Sequence, residues 1–287
     1  MGIGLTLAAW FFFSLTDTSV KWLVLLGIPA LQLAFMRYFV SFVLSLLAGL
    51  RDGRIFEPIP RTDLALVAFR GSLLVLATVL NFVALNYLPL SVTSTILNAA
   101  PILVTVLAIP LLGEKVGPWR FFAVLMGFAG VVTVVRPFGD AFHWASLLMV
   151  VNAFALALFA ILTRKLSGRI TPQTMQLYMG ALGSAVLFVP AMLVWTPPET
   201  SLDWILMCCL GAAAWFGHEL YSRAHLFAES NVLGPFGYVF ILYLTLNGYL
   251  VFGTVPDAAT LAGAAIIISS GLLIWWRDGN RRSARAK

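Results

Sequence analysis

Apolar residues run along this chain in blocks of about twenty, and turn-forming residues rather than strict alternation divide the blocks. One helical crossing of a bilayer needs about 20 apolar residues. Cutting at turn signals such as "GIP" (27–29), "YLPL" (87–90) and "TPPETS" (196–201) predicts ten helical spans. They fall at roughly 3–26, 30–50, 64–86, 91–111, 119–136, 143–163, 173–195, 204–222, 231–252 and 258–276. The pattern predicts an all-α integral membrane protein.

Composition narrows the picture further. Of 287 residues, 61% are hydrophobic and 10% charged, where a soluble domain carries about 25% charge. Mean hydropathy is +0.95. Trp22, Trp119, Trp144, Trp195, Trp204, Trp275 and Trp276 lie near span ends, as interfacial anchors do. No basic residue precedes the first apolar run, so that run is expected to stay as a span rather than be removed. The net charge of +6 comes from residues between spans and implies no nucleic-acid partner. Cys208 and Cys209, adjacent in an apolar stretch, are expected in the core, with neither disulfide nor metal spacing.

Lys and Arg alternate between loop sets. One set holds Arg51, Arg54, Arg61, Lys115, Arg120, Arg164, Lys165, Arg169, Arg223 and the tail Arg277, Arg281, Arg282, Arg285 and Lys287. The other holds Arg136, with Lys21 near one end. The positive-inside rule then places both termini in the cytoplasm of a bacterial inner-membrane protein.

A faint internal repeat appears at a shift of about 140 residues. Gly71 meets Gly211, Ala84 meets Ala224, Val92 meets Val232, and Gly113 meets Gly253. Near the starts of the halves the shift is closer to 144, where "SVKWL" (19–23) faces "TRKLS" (163–167). Five spans per copy is odd, so the second copy enters from the opposite side. The expected domains are 1–138 and 139–287, two inverted five-helix repeats around a central cavity. Inverted repeats with a midplane site are a transporter architecture.

"LLGEKVGPWRFFAVLMGFAGVV" (111–132) and "DTSVKWL…GIPALQLAFMRY" (17–38) resemble the drug/metabolite transporter superfamily, EamA type. The resemblance covers essentially the whole chain and is strongest in the first half. In the second copy Gly253-Thr254 stands where Gly113-Glu114 would be repeated. That loss makes Glu114 a local loop or helix-start residue. The resemblance implies ten helices and movement of small metabolites, most similar in kind to amino-acid exporters of broad specificity working by alternating access. Importers of vitamins or nucleotide-type metabolites share the scaffold and remain the alternative.

Polar groups inside a span face protein or water rather than lipid. Thr78, Asn81, Asn98, Trp215, His218, Tyr221 and Tyr238 are the candidate substrate-binding residues. The 140 shift pairs Thr78 with His218, Asn81 with Tyr221, and Asn98 with Tyr238, so matching faces are polar in both halves. Interhelical hydrogen bonding is the plainer reading of any one of them. Pro101, which removes a donor in mid-span, and Pro235 in "NVLGPFGY" (231–238) mark candidate hinges in the matched fourth and ninth spans. Asp17, Lys21 and Arg37 read as a gating charge network, with Lys21 snorkelling to the interface. Glu219 and Arg223 have i,i+4 pair spacing. "HELYS" lacks the second histidine of a zinc helix.

No phosphate-binding loop, GxSxG or HExxH motif occurs, which leaves no sequence basis for an ATP-driven pump or a membrane enzyme. No catalytic residue, cofactor or metal is assigned. The expected partners are a small-molecule substrate and the lipid bilayer, with the chain a monomer or homodimer.

Overall fold

The computed structural model describes residues 1–51, 59–112, 118–136, 142–166, 168–227 and 233–285. Every regular element among them is helical. The helices are α1 (Gly2–Leu25), α2 (Ala30–Arg51), α3 (Arg61–Tyr87), α4 (Leu90–Leu97), α5 (Ala100–Leu112), α6 (Pro118–Val135), α7 (Ala145–Leu166), α8 (Pro172–Leu193) and α9 (Ser201–Phe227). A 3₁₀ turn (Gly234–Tyr238) then leads into α10 (Val239–Phe252), and α11 (Ala258–Arg285) closes the chain. Five of these, α1, α2, α3, α7 and α8, are each long and apolar enough to cross a membrane.

Two expected spans are interrupted. The fourth divides into α4 and α5 at Asn98–Ala99, immediately before Pro101. Pro101 has no N–H to offer the Leu97 carbonyl. Asn98 N keeps the helical bond to Ser94 O at 3.0 Å, and the amides on either side of Pro101 turn to nearer acceptors: Ala99 bonds Ile96 O and Ile102 bonds Ala99 O, each at 3.0 Å. The ninth span starts as the tighter 3₁₀ turn "GPFGY" before becoming α-helical. The final helix is longer than expected, because the basic tail continues it to Arg285.

Much of the helix packing follows one exchange, with the α1–α3 and α2–α3 contacts as exceptions that have no equivalent α7–α9 or α8–α9 contact of similar extent. Consider the exchange of α1 with α7, α2 with α8, α3 with α9, the α4–α5 pair with the turn and α10, and α6 with α11. The α1–α9 contact then maps onto α7–α3, α2–α9 onto α8–α3, and α1–α10 onto α7–α5. The contacts α2–α8, α6–α11 and α4–α10 map onto themselves. All of these contacts are present.

Two glycines show the same relation in atomic detail. A Cβ on Gly211 of α9 would lie 2.7 Å from Val40 Cβ and 3.0 Å from the Met36 carbonyl of α2. A Cβ on Gly71 of α3 would lie 2.7 Å from Leu182 Cδ2 of α8. Small residues at such crossings let backbones approach closely, which is how helices associate where lipid is as apolar as leucine. At the α9–α2 crossing Ser41 Oγ donates to Gly211 O at 2.9 Å. Asp63 and Asp203 occupy the first turns of the exchanged helices α3 and α9. Carboxylates there oppose the positive end of the helix dipole.

The largest buried apolar cluster joins α1, α2, α3, α8, α9 and α10 through residues such as Val20, Leu33, Tyr38, Leu85, Leu210 and Leu244. Cys208 and Cys209 are exposed on α9, outside this core. Their neighbours Met207 and Leu210 take the buried positions instead, because helical geometry buries only one stripe of an apolar run.

Candidate functional site

The polar interior is assembled where α1, α2, α3 and α9 meet. Asp17 of α1 is buried, and Asn81 Nδ2 of α3 donates to its Oδ1 at 3.1 Å. One turn back on α3, the Thr78 hydroxyl receives Arg37 Nη1 of α2 at 2.7 Å and lies 2.8 Å from the Tyr38 hydroxyl. The field of Arg37 reaches Asp17. Thr78 and Asn81, three residues apart, share a face of α3, so one helix organises both halves of the cluster.

His218 enters from α9 with its ring edge-on to Phe13, centroids 4.9 Å apart. Its Nε2 is buried without a hydrogen-bond partner, as is Asn81 Oδ1. The charges of Arg37 and Arg70 both act on His218. An aromatic wall continues from there: Trp10 lies edge-on to Phe13 and Tyr221 and tilted against Phe240, at 5.6, 6.1 and 5.2 Å. Backbone of the 3₁₀ turn lies beside it, with a Cβ on Gly237 meeting Trp10 Cζ2 at 3.4 Å.

Other expected site residues lie elsewhere. Trp215 Nε1 donates to Ser45 Oγ of α2 at 2.9 Å, a helix-to-helix tie. Asn98 Nδ2 donates at 2.8 Å to Ser94 O, the carbonyl that its own amide also reaches, so the side chain is engaged at the span break. Tyr238 packs with Ala99, Ile102 and Ile267. Its hydroxyl occupies the space above Gly271 of α11, where a Cβ would collide with it. Pro235 lies in the 3₁₀ turn.

The expected charge network takes a different form. Lys21 does not pair with Asp17. Its Nζ is buried and donates to Leu85 O at 2.9 Å and Leu88 O at 2.8 Å, with the Phe252 ring 5.7 Å away. The last carbonyls of α3 have no partners within that helix. A cation is favoured at that end of the dipole, so the ammonium is held there. Asp17, Lys21 and Arg37 are therefore three separately satisfied groups, two of them joined through α3. At the far end of α9, Arg223 Nε and Glu219 Oε1 do form the i,i+4 pair, at 2.7 Å.

Arg70 was not among the residues expected from sequence. It is buried in α3, its Nε donates to Thr163 Oγ1 of α7 at 2.7 Å, and its guanidinium stacks 4.2 Å from the Phe159 ring. Its Nη1 has no partner. A signal for it exists: Arg70, Thr78 and Asn81, at spacings of eight and three, fall on one stripe of a 3.6-residue helix. A separate cleft at the α1–α2 turn, lined by Val24, Gly27, Pro29, Val83, Asn86 and Tyr87, contains none of these groups. Among the described residues no three His, Cys, Asp or Glu side chains are grouped as a metal site.

Comparison with known proteins gives this arrangement a family. Residues 1–136 match the model of the EamA-like transporter family. The chain is 30% identical over 259 residues to a riboflavin transporter of Vibrio cholerae serotype O1, covering 89% of this chain and 87% of that one. It is 24% identical to an S-adenosylmethionine uptake transporter of Rickettsia prowazekii, covering 96% and 94% of the two chains. It is 25% identical to a pseudopaline exporter of Pseudomonas aeruginosa, covering 93% of each. A solved crystal structure with 18% identity superposes with a TM-score of 0.66 over 95% of this chain and 96% of the other. This helical membrane protein belongs to the EamA-like transporters of the drug/metabolite transporter superfamily, and it is a transporter rather than an enzyme.

Proposed function

We propose that the chain is a secondary transporter carrying a vitamin or nucleotide-type metabolite by alternating access. It spans the inner membrane ten times, as two inverted repeats (1–138 and 139–287) with both termini in the cytoplasm. The observation that carries this reading is the matched interruption of the fourth and ninth spans beside a buried polar cluster. Broken helices at corresponding positions of two halves are the usual mark of a transporter's site and hinges. The exchange rule of the helix contacts supports the repeat, and the distribution of Lys and Arg supports the orientation.

The substrate reading moves away from the amino-acid export expected at first. Trp10, Phe13, Tyr221 and Phe240 form an aromatic cluster whose rings meet edge-on or tilted. Ring edges and faces of this kind pack favourably against a further aromatic ring, which favours a heteroaromatic substrate over an aliphatic side chain. Asn81, Thr78 and His218 supply polar contacts along one edge. The relatives named for riboflavin and S-adenosylmethionine support the same class.

The test is flux. Purified protein in ATP-free liposomes is expected to take up labelled S-adenosylmethionine or riboflavin saturably and to exchange it against the same unlabelled compound inside. Absence of flux of both together with saturable efflux of labelled amino acids would return the assignment to amino-acid export. Non-saturating flux would point to a channel.

A further inference from the structure

We propose that Arg70 holds an oxyanion of the transported molecule, so the substrate carries a carboxylate or phosphate group. This deepens the transporter reading and rests on it. The argument begins with charge. The arginines of this interior are the half-buried Arg37 and the buried Arg70, and the buried carboxylates of α1 and α3 are already engaged, Asp17 with Asn81 and Asp63 with Arg169. Asp17 lies within the field of Arg37, which leaves the charge of Arg70 without an anionic counterpart. The neighbours of Arg70 are neutral: the Thr163 hydroxyl on Nε and the Phe159 ring against its plane.

A guanidinium is permanently charged and presents donors in a rigid fork that matches an oxyanion. Arg70 is 93% buried, since only 7% of it is exposed, and one prong of its fork, Nη1, is unused. Leaving a buried charged donor unpaired is costly. A transporter that binds and releases its ligand needs such a vacant position. Thr163 and Phe159 fix the other side of the guanidinium, so its free edge has a set direction. His218 Nε2 is a second buried and unpaired polar group of the interior. Lys21 takes no part, because both of its carbonyl partners are in place.

Two measurements on the full chain test this. The first is chemical. Phenylglyoxal modification of Arg70 in detergent-purified protein, read by peptide mass spectrometry, is expected to slow several-fold with inorganic phosphate or acetate relative to chloride at equal ionic strength. Protection by one and not the other identifies phosphate or carboxylate as the group. The second is thermal. Whichever anion protects Arg70 is expected to raise the unfolding temperature of the wild type, to do so less in Arg70→Lys, which keeps the charge without the fork, and to need a tenfold or higher half-maximal concentration in Arg70→Gln. If Arg70 is not modified, or is modified at a rate indifferent to both anions, the proposal is overturned. The same holds if the anions stabilise Arg70→Gln as they do the wild type. Riboflavin carries neither group, so S-adenosylmethionine flux is the outcome expected here. Saturable riboflavin flux with no anion effect would keep the transporter reading and overturn the anion site, and protection of Arg70 with flux of neither compound would do the reverse.

Discussion

Replacing Thr78 by valine tests whether α3 organises the cluster. Valine keeps the shape of threonine and removes one hydroxyl, which receives Arg37 Nη1 at 2.7 Å and meets the Tyr38 hydroxyl at 2.8 Å. A hydrogen bond to a charged group contributes about 1.5–3 kcal/mol and a neutral one about 0.5–1.5 kcal/mol in soluble proteins. Side-chain bonds inside membrane bundles average about 0.6 kcal/mol, because the unfolded reference in lipid also finds partners. Two bonds therefore bracket the loss at roughly 1–4 kcal/mol. The upper part of that range is favoured, because Tyr38 is 1% exposed and its orphaned hydroxyl has little access to water. Denaturant unfolding in detergent measures the loss, with Thr78→Ser as control, since serine keeps the hydroxyl and gives up only the methyl. The expected order of stability is wild type, then Thr78→Ser, then Thr78→Val. If Thr78→Val lies within about 0.5 kcal/mol of the wild type while Thr78→Ser falls below it, the methyl matters and the hydroxyl does not. That result would refute the role of the Thr78 hydroxyl in tying α2 to α3.

Pro101→Ala restores a donor for the Leu97 carbonyl and is expected to fuse α4 and α5 into one helix. Single-turnover flux should then slow and the balance of inward and outward accessibility should shift, and unchanged values of both would remove Pro101 as a hinge. Asp17→Asn keeps an acceptor for Asn81 Nδ2, whereas Asp17→Leu removes it. Unfolding should therefore cost more for leucine, by about 1–3 kcal/mol, and equal losses would contradict an acceptor role. Asp257 precedes α11, and its Oδ1 accepts the Thr260 amide at 2.9 Å. Hydrogen bonds from Thr260, with the charge of Arg136 adding to them, hold its carboxyl below the usual carboxylate range. The stabilisation it gives is complete above about pH 4, the ordinary carboxylate value, and is lost as pH falls through the lower folded value. Asp257→Ala should cost about 1 kcal/mol at neutral pH and flatten the acid limb of a stability-versus-pH curve, and an unaltered limb would exclude the cap.

The helical segments were legible because bilayer thickness imposes a length on apolar runs: five helices are long and apolar enough to cross a membrane, and most expected boundaries lie within a few residues of helix ends. Two departures have physical causes. Cys208 and Cys209 were expected inside because their neighbours are apolar, but in lipid an apolar residue gains little by turning inward. The basic tail continues α11 because nothing in "RDGNRRSAR" stops a helix firmly. The site was legible in residue type and less so in partnership. Asp17 and Lys21, four apart, have the spacing of a pair, yet Lys21 reaches a different helix. The spare carbonyls at the end of α3 are invisible until α1 and α3 lie side by side. Trp215 with Ser45, and Arg70 with Thr163, are likewise joined across helices far apart in sequence. Periodicity places each on a face but cannot name what that face meets.

The Tyr238 hydroxyl above Gly271 has a mechanical meaning. The 3₁₀ turn is seated in a notch of the last helix that only a residue without a side chain can provide. Turn and helix meet there like a pin in a socket, with the tip of the Tyr238 side chain as the pin. An alanine at 271 would fill the socket and push that tip out of it. The variant therefore asks how firmly the turn is tied to α11: a small loss of stability means that the side chain alone moves aside, and a large one means that the turn moves with it.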